Sequence, residues 1–163
     1  MGVTIAGAVT AVALVTGGSQ QDPGKDRTER QAVVAERGRT VMPFDLEQTT
    51  HRFIPAATGG TQDVVADRPG DAEQIDLIRT HLRKEAEAFS RGDFADPARI
   101  HGSDMPGLAE LREGYDRVEV RYEDRPDGAT LTYTTQDSAL VDALHDWFEA
   151  QTGDHGAHAE SGH

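Results

Sequence analysis

The stretch VEVRYEDRPDGATLTYT, residues 118–134, decides the fold class. Its apolar residues Val118, Val120 and Tyr122 alternate with charged ones, which is the period of two expected for a strand with one buried face. The segment RPDG in its middle combines residues that favour a turn, and the alternation resumes after it. We therefore predict a β-hairpin here.

Another hairpin precedes this one in the chain. We predict strands at His51 to Pro55 and at Gln62 to Asp67, two runs that contain β-branched and aromatic residues. Residues 56–61 join them, and Gly59 and Gly60 supply the backbone freedom that a turn needs.

Each hairpin is followed by an amphipathic helix. The first begins after Asp71, whose carboxylate can accept hydrogen bonds from free backbone N–H groups, and it runs to about Ser90. The second starts near residue 137 and ends by Gly153. Two such ββα units predict an α+β domain with a four-stranded antiparallel sheet and both long helices on one face.

The connection between the two units, residues 91–115, is too long for a simple loop. Pro97 and Pro106 each stand where proline fits a first helical turn, so we expect short helical turns in this connection. A chain of 163 residues is long enough for one hydrophobic core. We therefore expect a single domain over residues 42–153.

Residues 1–41 leave three interpretations open. The apolar stretch 3–16 is typical of a signal-peptide core, but no Lys or Arg precedes it, and it is short for a membrane span of ~20 residues. Residues 17–41 lack apolar periodicity, as a disordered linker does. The extension is an export signal with a linker, a loose membrane anchor, or sequence ahead of a true start at Met42, which we favour. The protein is exported if residues 1–20 act as a signal and cytoplasmic if translation starts at Met42, and we expect no stable membrane insertion.

The chain is acidic, with a formal net charge of −13, and residues 42–163 hold 25 acidic and 11 basic side chains. Nucleic acid and anionic membrane surfaces are poor partners for such a charge, because binding phosphate needs Lys and Arg. Cysteine is absent, which excludes disulfides, thiolate metal sites and cysteine nucleophiles. We expect residues 154–163 to be a disordered tail that contains three of the seven histidines.

The segment IHGSDMP, residues 100–106, is the first candidate for a binding site. His101, Asp104 and Met105 gather an imidazole, a carboxylate and a thioether in a loop, where proteins commonly place binding groups. A structural interpretation stays open beside this one. His and Asp also cap helices, and a methionine under a loop often fills the core.

Further candidates lie on the two long helices. His81 and Glu85 are four residues apart, so they either face one site or hydrogen-bond to each other. His145 flanks the apolar face of the second long helix and converges with His81 if the two units pack as equivalents. A metal set of His81, His101, Met105 and His145, with His51 as an addition, would suit copper, haem iron or nickel, whereas zinc and iron also accept His with carboxylate.

Five segments between Phe44 and His155 resemble a family of short uncharacterised bacterial proteins. Some members of that family carry the name aspartate carbamoyltransferase, and members look as if they begin near Met42. True carbamoyltransferases use a Ser-Thr-Arg-Thr phosphate loop and a His-Pro-x-Gln motif, and neither occurs here, so the resemblance implies no catalytic residue. The matching segments are TTHRF (49–53), GGTQDVVAD (59–67), QIDLIRTHLRKEAEAF (74–89), GDFADPARIHGSDMPGL (92–108) and ALHDWFEAQ (143–151).

The leading hypothesis from the sequence is a small binding or accessory protein. Its site would hold an unknown small ligand, a transition metal ion or haem through His101, Asp104, Met105, His81 and Glu85. A protein–protein interaction module would instead show an exposed apolar patch, and an enzyme would use His101 as acid or base. Nucleophile elbows, phosphate-binding glycine loops and His-Glu-x-x-His zinc motifs do not occur. A transferase activity follows from the family resemblance alone.

Overall fold

A computed structural model describes residues 23–161 of the chain. The apolar stretch 3–16, and with it the expectations of a signal or an anchor, lies outside the described residues. Within residues 23–161, no helix combines the length and the apolar character that crossing a membrane requires.

The sheet has five strands in the order β3-β4-β2-β1-β5. The first four pair antiparallel, whereas β5 lies parallel to β1. The α+β class is confirmed, and the predicted four-stranded antiparallel sheet is corrected to a five-stranded mixed sheet. A strand of three residues is too short to show the alternation on which the prediction depended. The strands are β1 (Thr49–Ala56), β2 (Gly59–Ala66), β3 (Glu119–Arg125), β4 (Gly128–Thr134) and β5 (Ala159–Ser161).

Two long helices follow the two hairpins, as the sequence predicts, and two short helices occupy the connection between the units. The carboxylate of Asp71 accepts a hydrogen bond from the backbone N–H of Gln74 at 3.3 Å, which fixes the start of the first long helix. Asp137 caps the second in the same way through the N–H of Ala139. The helices of the described residues are α1 (Pro23–Val41), α2 (Ala72–Phe89), α3 (Ala95–His101), α4 (Leu108–Glu113) and α5 (Ser138–His155), with 3-10 turns at Leu46–Gln48, Tyr115–Arg117 and Gly156–His158.

The hydrophobic core joins α2 and α5 to one face of the sheet. Trp147 and Phe148 of α5 are each 1% exposed, and Leu82 of α2 packs in the same core. Gly60 lies where α5 crosses the first hairpin, since a Cβ atom there would come within 2.6 Å of Phe148 Cε2. This packing leaves space for a cavity where the two helices, α3 and the sheet meet.

Residues 23–41 form α1, which differs from the expected disordered linker. The helix packs against α3 and α5, but few of its side chains are buried. Val34 is 2% exposed, and at Gly38 the helix approaches Leu46 so closely that a Cβ would lie 2.9 Å from Leu46 Cδ1. Because few of its side chains are buried, α1 has no apolar stripe in its sequence, and the helix could not be predicted from such a pattern.

Residues 154–161 also differ from the expected disordered tail. They complete α5 and form β5, which pairs with β1 alongside His51, Arg52 and Phe53. Arg52 donates a hydrogen bond of 2.8 Å to the Glu160 carboxylate across this pair. The end of the described chain therefore belongs to the folded domain, and it carries His155 into the candidate site.

Candidate functional site

A small cavity lies between the sheet and the helices α2, α3 and α5. About 30 Å³ of it is open to a water-sized sphere, which is room for one or two water molecules or a single ion. We call it the His cavity. Its titratable lining consists of His51, His81, Glu85, Asp96, His101 and His155.

Three buried polar atoms at the His cavity have no hydrogen-bond partner. They are His51 Nδ1, Trp147 Nε1 and Gln151 Nε2, and all three residues line the cavity. Buried polar groups in folded proteins are nearly always paired with protein, water or an ion. Each unpaired group costs about 1–3 kcal/mol of stability. A polar molecule in the cavity could therefore supply hydrogen-bond partners to these residues.

The imidazoles of His51, His101 and His155 form one cluster. The rings of His51 and His155 are stacked, with centroids 4.8 Å apart and an interplanar angle of 7°. The ring of His101 meets that of His155 edge-on, with centroids 5.0 Å apart and an angle of 78°. His155 is thus the central ring of the cluster. It is partly exposed, whereas His51 and His101 are each 2% exposed.

Burial keeps most of these imidazoles neutral. It lowers the pKa of His51 to about 3 and the pKa of His81 to about 4. The pKa of His155 is held well below its ordinary value, first by burial and then by the neighbouring imidazoles. A neutral imidazole has one nitrogen with a free lone pair, which can bind a metal ion or accept a proton.

His101 is oriented by a carboxylate. Its Nδ1 lies 2.9 Å from Asp154 Oδ2, and Arg30 of α1 donates hydrogen bonds to both oxygens of the same carboxylate. Burial alone would raise the pKa of Asp154, but the hydrogen bonds from His101 and Arg30 outweigh it and hold this pKa below its ordinary value. An ionised carboxylate only accepts hydrogen bonds, so Nδ1 of His101 is the donor in this contact.

Glu85 lines the cavity, and its carboxyl group is mostly protonated, and so neutral, at physiological pH. Burial raises its pKa to about 8, and the nearby Asp96 carboxylate adds to the shift. Asp96 is itself paired with Lys84 at 3.8 Å and with Arg99 at 3.2 Å. Glu85 can therefore donate a hydrogen bond, and it is a weaker candidate for a metal ligand than the sequence suggested.

The structure brings only part of the predicted site together. His81, Glu85 and His101 line the His cavity, whereas Asp104 is exposed and Met105 is buried in the hydrophobic core. Met105 thus follows the structural interpretation of its loop.

His145 also lies away from the cavity. Its Nε2 is within hydrogen-bonding distance of the carbonyl oxygens of Ala56 and Gly59, at 3.1 and 2.9 Å. The predicted metal set of His81, His101, Met105 and His145 is therefore not assembled. His155 and its neighbour Asp154 were missed because the sequence placed them in a tail, and the only signal for them was a histidine directly after an aspartate.

The cavity presents neither a metal site nor a haem pocket. Among the described residues, no group of three His, Asp or Glu side chains could hold a metal ion. A haem is far larger than a cavity of about 30 Å³ and would require the surrounding helices to separate. A polar molecule of a few atoms matches the size of the cavity.

Comparison with known proteins adds no function to this geometry. No protein-family model, curated protein or solved structure matches the chain. The resemblance to the family with carbamoyltransferase names stays a prediction, and the arguments below depend on the site alone.

Proposed function

We propose that the protein is a small binding protein that holds a polar ligand of a few atoms in the His cavity. One observation carries the proposal: three residues that line the same small space each have a buried polar atom without a partner, namely His51 Nδ1, Trp147 Nε1 and Gln151 Nε2. An occupant that pairs with them removes a desolvation cost of about 1–3 kcal/mol for each atom. That gain is available only in the folded state, so the ligand also stabilises the fold.

The experiment that tests this proposal is native mass spectrometry of the untagged 163-residue chain. We expect a mass above that of the polypeptide, which disappears when the protein is denatured. His51→Phe fills part of the cavity and removes an unpaired nitrogen, so this variant should lose the extra mass. His158→Gln is the matched control, because His158 pairs with Glu47 and does not line the cavity. A polypeptide mass alone for the wild type would contradict the proposal.

An enzyme is the second candidate function. The observation that favours it is the contact of 2.9 Å between His101 Nδ1 and Asp154 Oδ2, because a carboxylate that orients an imidazole prepares Nε2 to take up a proton. The neutral carboxyl of Glu85 would supply a proton donor in the same cavity. The cavity does not admit an organic substrate as it stands, so an enzyme of this kind acts on a very small molecule or opens before it binds.

An interaction module has less support. Among the described residues, the exposed large hydrophobic side chains are Val33 and Tyr115. Two side chains do not make the contiguous apolar patch of several hundred Å² that marks many protein interfaces. The buried cavity therefore gives the binding-protein proposal its advantage.

A further inference from the structure

We infer that the His cavity binds a small oxyanion of the size of formate, and that a proton enters with the anion and is held on His101. This inference rests on the proposed binding function and names the class of its ligand. Three observations support it: the donor character of the unpaired buried atoms, the volume of the cavity, and the carboxylate beside the His101 ring.

The unpaired buried atoms of the cavity lining are hydrogen-bond donors. The indole Nε1 of Trp147 and the amide Nε2 of Gln151 only donate, and neither has a partner in the described part of the chain. Trp147 is 1% exposed and Gln151 is 5% exposed, so bulk water does not serve them. A ligand that satisfies these two groups is therefore a hydrogen-bond acceptor. N–H donors bind oxyanions and do not bind cations.

Glu85 adds another donor to the same lining. Burial raises its pKa to about 8, so below about pH 7 its carboxyl group keeps a proton that it can donate. Asp96 also lines the cavity, but its carboxylate is paired with Lys84 at 3.8 Å and with Arg99 at 3.2 Å. These two cations reduce the repulsion that Asp96 exerts on an anion in the cavity.

The volume of the cavity limits the ligand to a few atoms. About 30 Å³ is open to a water-sized sphere, which is room for one or two water molecules. Formate and nitrite are of this size, and each offers its oxygens as acceptors to the donors of the lining. Sulfate and benzoate are larger than the cavity, so they serve as controls for size and for charge.

A proton on His101 supplies the positive charge that a buried anion needs, because burying an unpaired charge is costly. His101 lines the cavity, and its Nδ1 lies 2.9 Å from Asp154 Oδ2. Arg30 donates to both oxygens of that carboxylate and holds it in place. Asp154 therefore stabilises an imidazolium, as a carboxylate does beside a histidine that takes up a proton in catalysis. The bound anion stabilises the same imidazolium from the cavity.

The uptake of a proton gives anion binding a defined pH dependence. The ring of His155 lies edge-on to His101 and stacks on His51, and burial keeps both of these neighbours neutral near pH 7. When one proton enters with each anion, the dissociation constant rises about tenfold per pH unit above about pH 7. The other titratable and charged groups around these rings are His81 and Glu85 of α2, Asp96 of α3, Asp154 of α5, Arg30 of α1, and His158, which pairs with Glu47.

The test observes the indole N–H of Trp147 by nuclear magnetic resonance. Trp147 is the single tryptophan of the chain, so its indole signal needs no assignment. The untagged full-length protein, labelled with nitrogen-15, is titrated with formate and separately with nitrite at about pH 6.5. We expect the indole proton signal to move downfield and to saturate at one anion per chain. Sulfate and benzoate at equal ionic strength should leave the signal in place.

Two variants test the named residues. Gln151→Leu keeps most of the side-chain volume and removes a donor, so the dissociation constant for formate should rise about 10–100-fold. His101→Gln removes the group that takes up the proton, so binding should weaken and lose its tenfold dependence per pH unit. Gln136→Leu is the matched control, because Gln136 is exposed before α5 and does not line the cavity. This control should bind formate as the wild type does.

Circular dichroism establishes that each variant is folded. If His101→Gln unfolds, calorimetry of the wild type in two buffers with different ionisation enthalpies replaces it. The difference between the two measured enthalpies should correspond to about one proton taken up for each formate bound.

The outcomes separate this inference from the proposed function. An indole signal that formate and nitrite leave in place, equal shifts with sulfate, or wild-type binding that does not change with pH would overturn the anion site. A neutral ligand found by native mass spectrometry, in a protein that binds no formate, would overturn this inference and leave the proposed function intact. A protein that retains no ligand and binds no anion would overturn both.

Discussion

Replacing Glu85 with glutamine should remove a pH dependence that its buried carboxyl imposes on stability. The pKa of Glu85 is about 8 in the folded protein against an ordinary value of 4.5. The folded state therefore keeps a proton that the unfolded state releases as the pH rises above 4.5. The free energy of unfolding that Glu85 contributes through this proton is complete at low pH and is lost as the pH rises towards 8. Between about pH 6.5 and 8 the loss amounts to about 1.5 kcal/mol.

The assay is urea unfolding followed by the fluorescence of Trp147, which is the single tryptophan of the chain. A chelator is present in every sample so that metal does not contribute. The imidazoles titrate in both proteins, so their effect cancels when the free energies of unfolding of Glu85→Gln and the wild type are subtracted. This difference should shift by about 1.5 kcal/mol in favour of the variant between pH 6.5 and 8.

Glu87→Gln is the matched control on the exposed side of α2, and its difference from the wild type should not change with pH. A constant difference for Glu85→Gln over the same range would refute the argument that Glu85 is protonated in the folded protein.

Four further predictions concern packing and hydrogen bonding. Gly60→Ala should lower the free energy of unfolding by about 1–3 kcal/mol, because the new methyl group would lie 2.6 Å from Phe148 Cε2. Gly153→Ala meets no atom within 4 Å and lies in α5, so it should raise stability by up to about 1 kcal/mol. Leu144→Ala removes a fully buried side chain and should cost about 2–5 kcal/mol. His145→Ala should cost about 1 kcal/mol, because it removes the ring nitrogen that lies within hydrogen-bonding distance of the Ala56 and Gly59 carbonyl oxygens. Urea unfolding measures each of these, and the opposite order for the two glycines would count against the packing described here.

Local signals in the sequence were sufficient for the long elements. The alternation around Tyr122 and the cap at Asp71 each depend on residues next to one another in the chain, and both hairpins and both long helices appear where these signals place them. The sequence also named His101 as a candidate site residue, and the structure places it in the lining of the His cavity.

Long-range contacts account for what the sequence did not show. α1 is held by Val34, by the close approach at Gly38 and by the ion pair between Arg30 and Asp154, and none of these forms a periodic pattern. β5 is a strand because its backbone pairs with β1, which would otherwise be the edge strand of the sheet. Once β5 and the end of α5 are in place, His155 stacks on His51, a contact between residues at opposite ends of the domain.

Long-range packing also explains why some residues predicted for the site, Met105 and His145, lie outside the cavity. Met105 lies in a loop whose composition is typical of a ligand site, but its apolar side chain packs in the hydrophobic core. His145 lies on the helix face that the pseudo-equivalence of the two units suggested, but it turns to the carbonyl oxygens of the first hairpin. Which histidines converge depends on how the helices pack across the sheet, and that packing is not encoded in any one segment.

A high-resolution crystal structure of the untagged protein tests the central claim, a polar ligand in the His cavity, most directly. The account predicts density for a small polar molecule in the His cavity, within hydrogen-bonding distance of His51 Nδ1, Trp147 Nε1 or Gln151 Nε2. A cavity that contains water alone, or one closed by side chains that pair His51 Nδ1, Trp147 Nε1 and Gln151 Nε2 with one another, would contradict it.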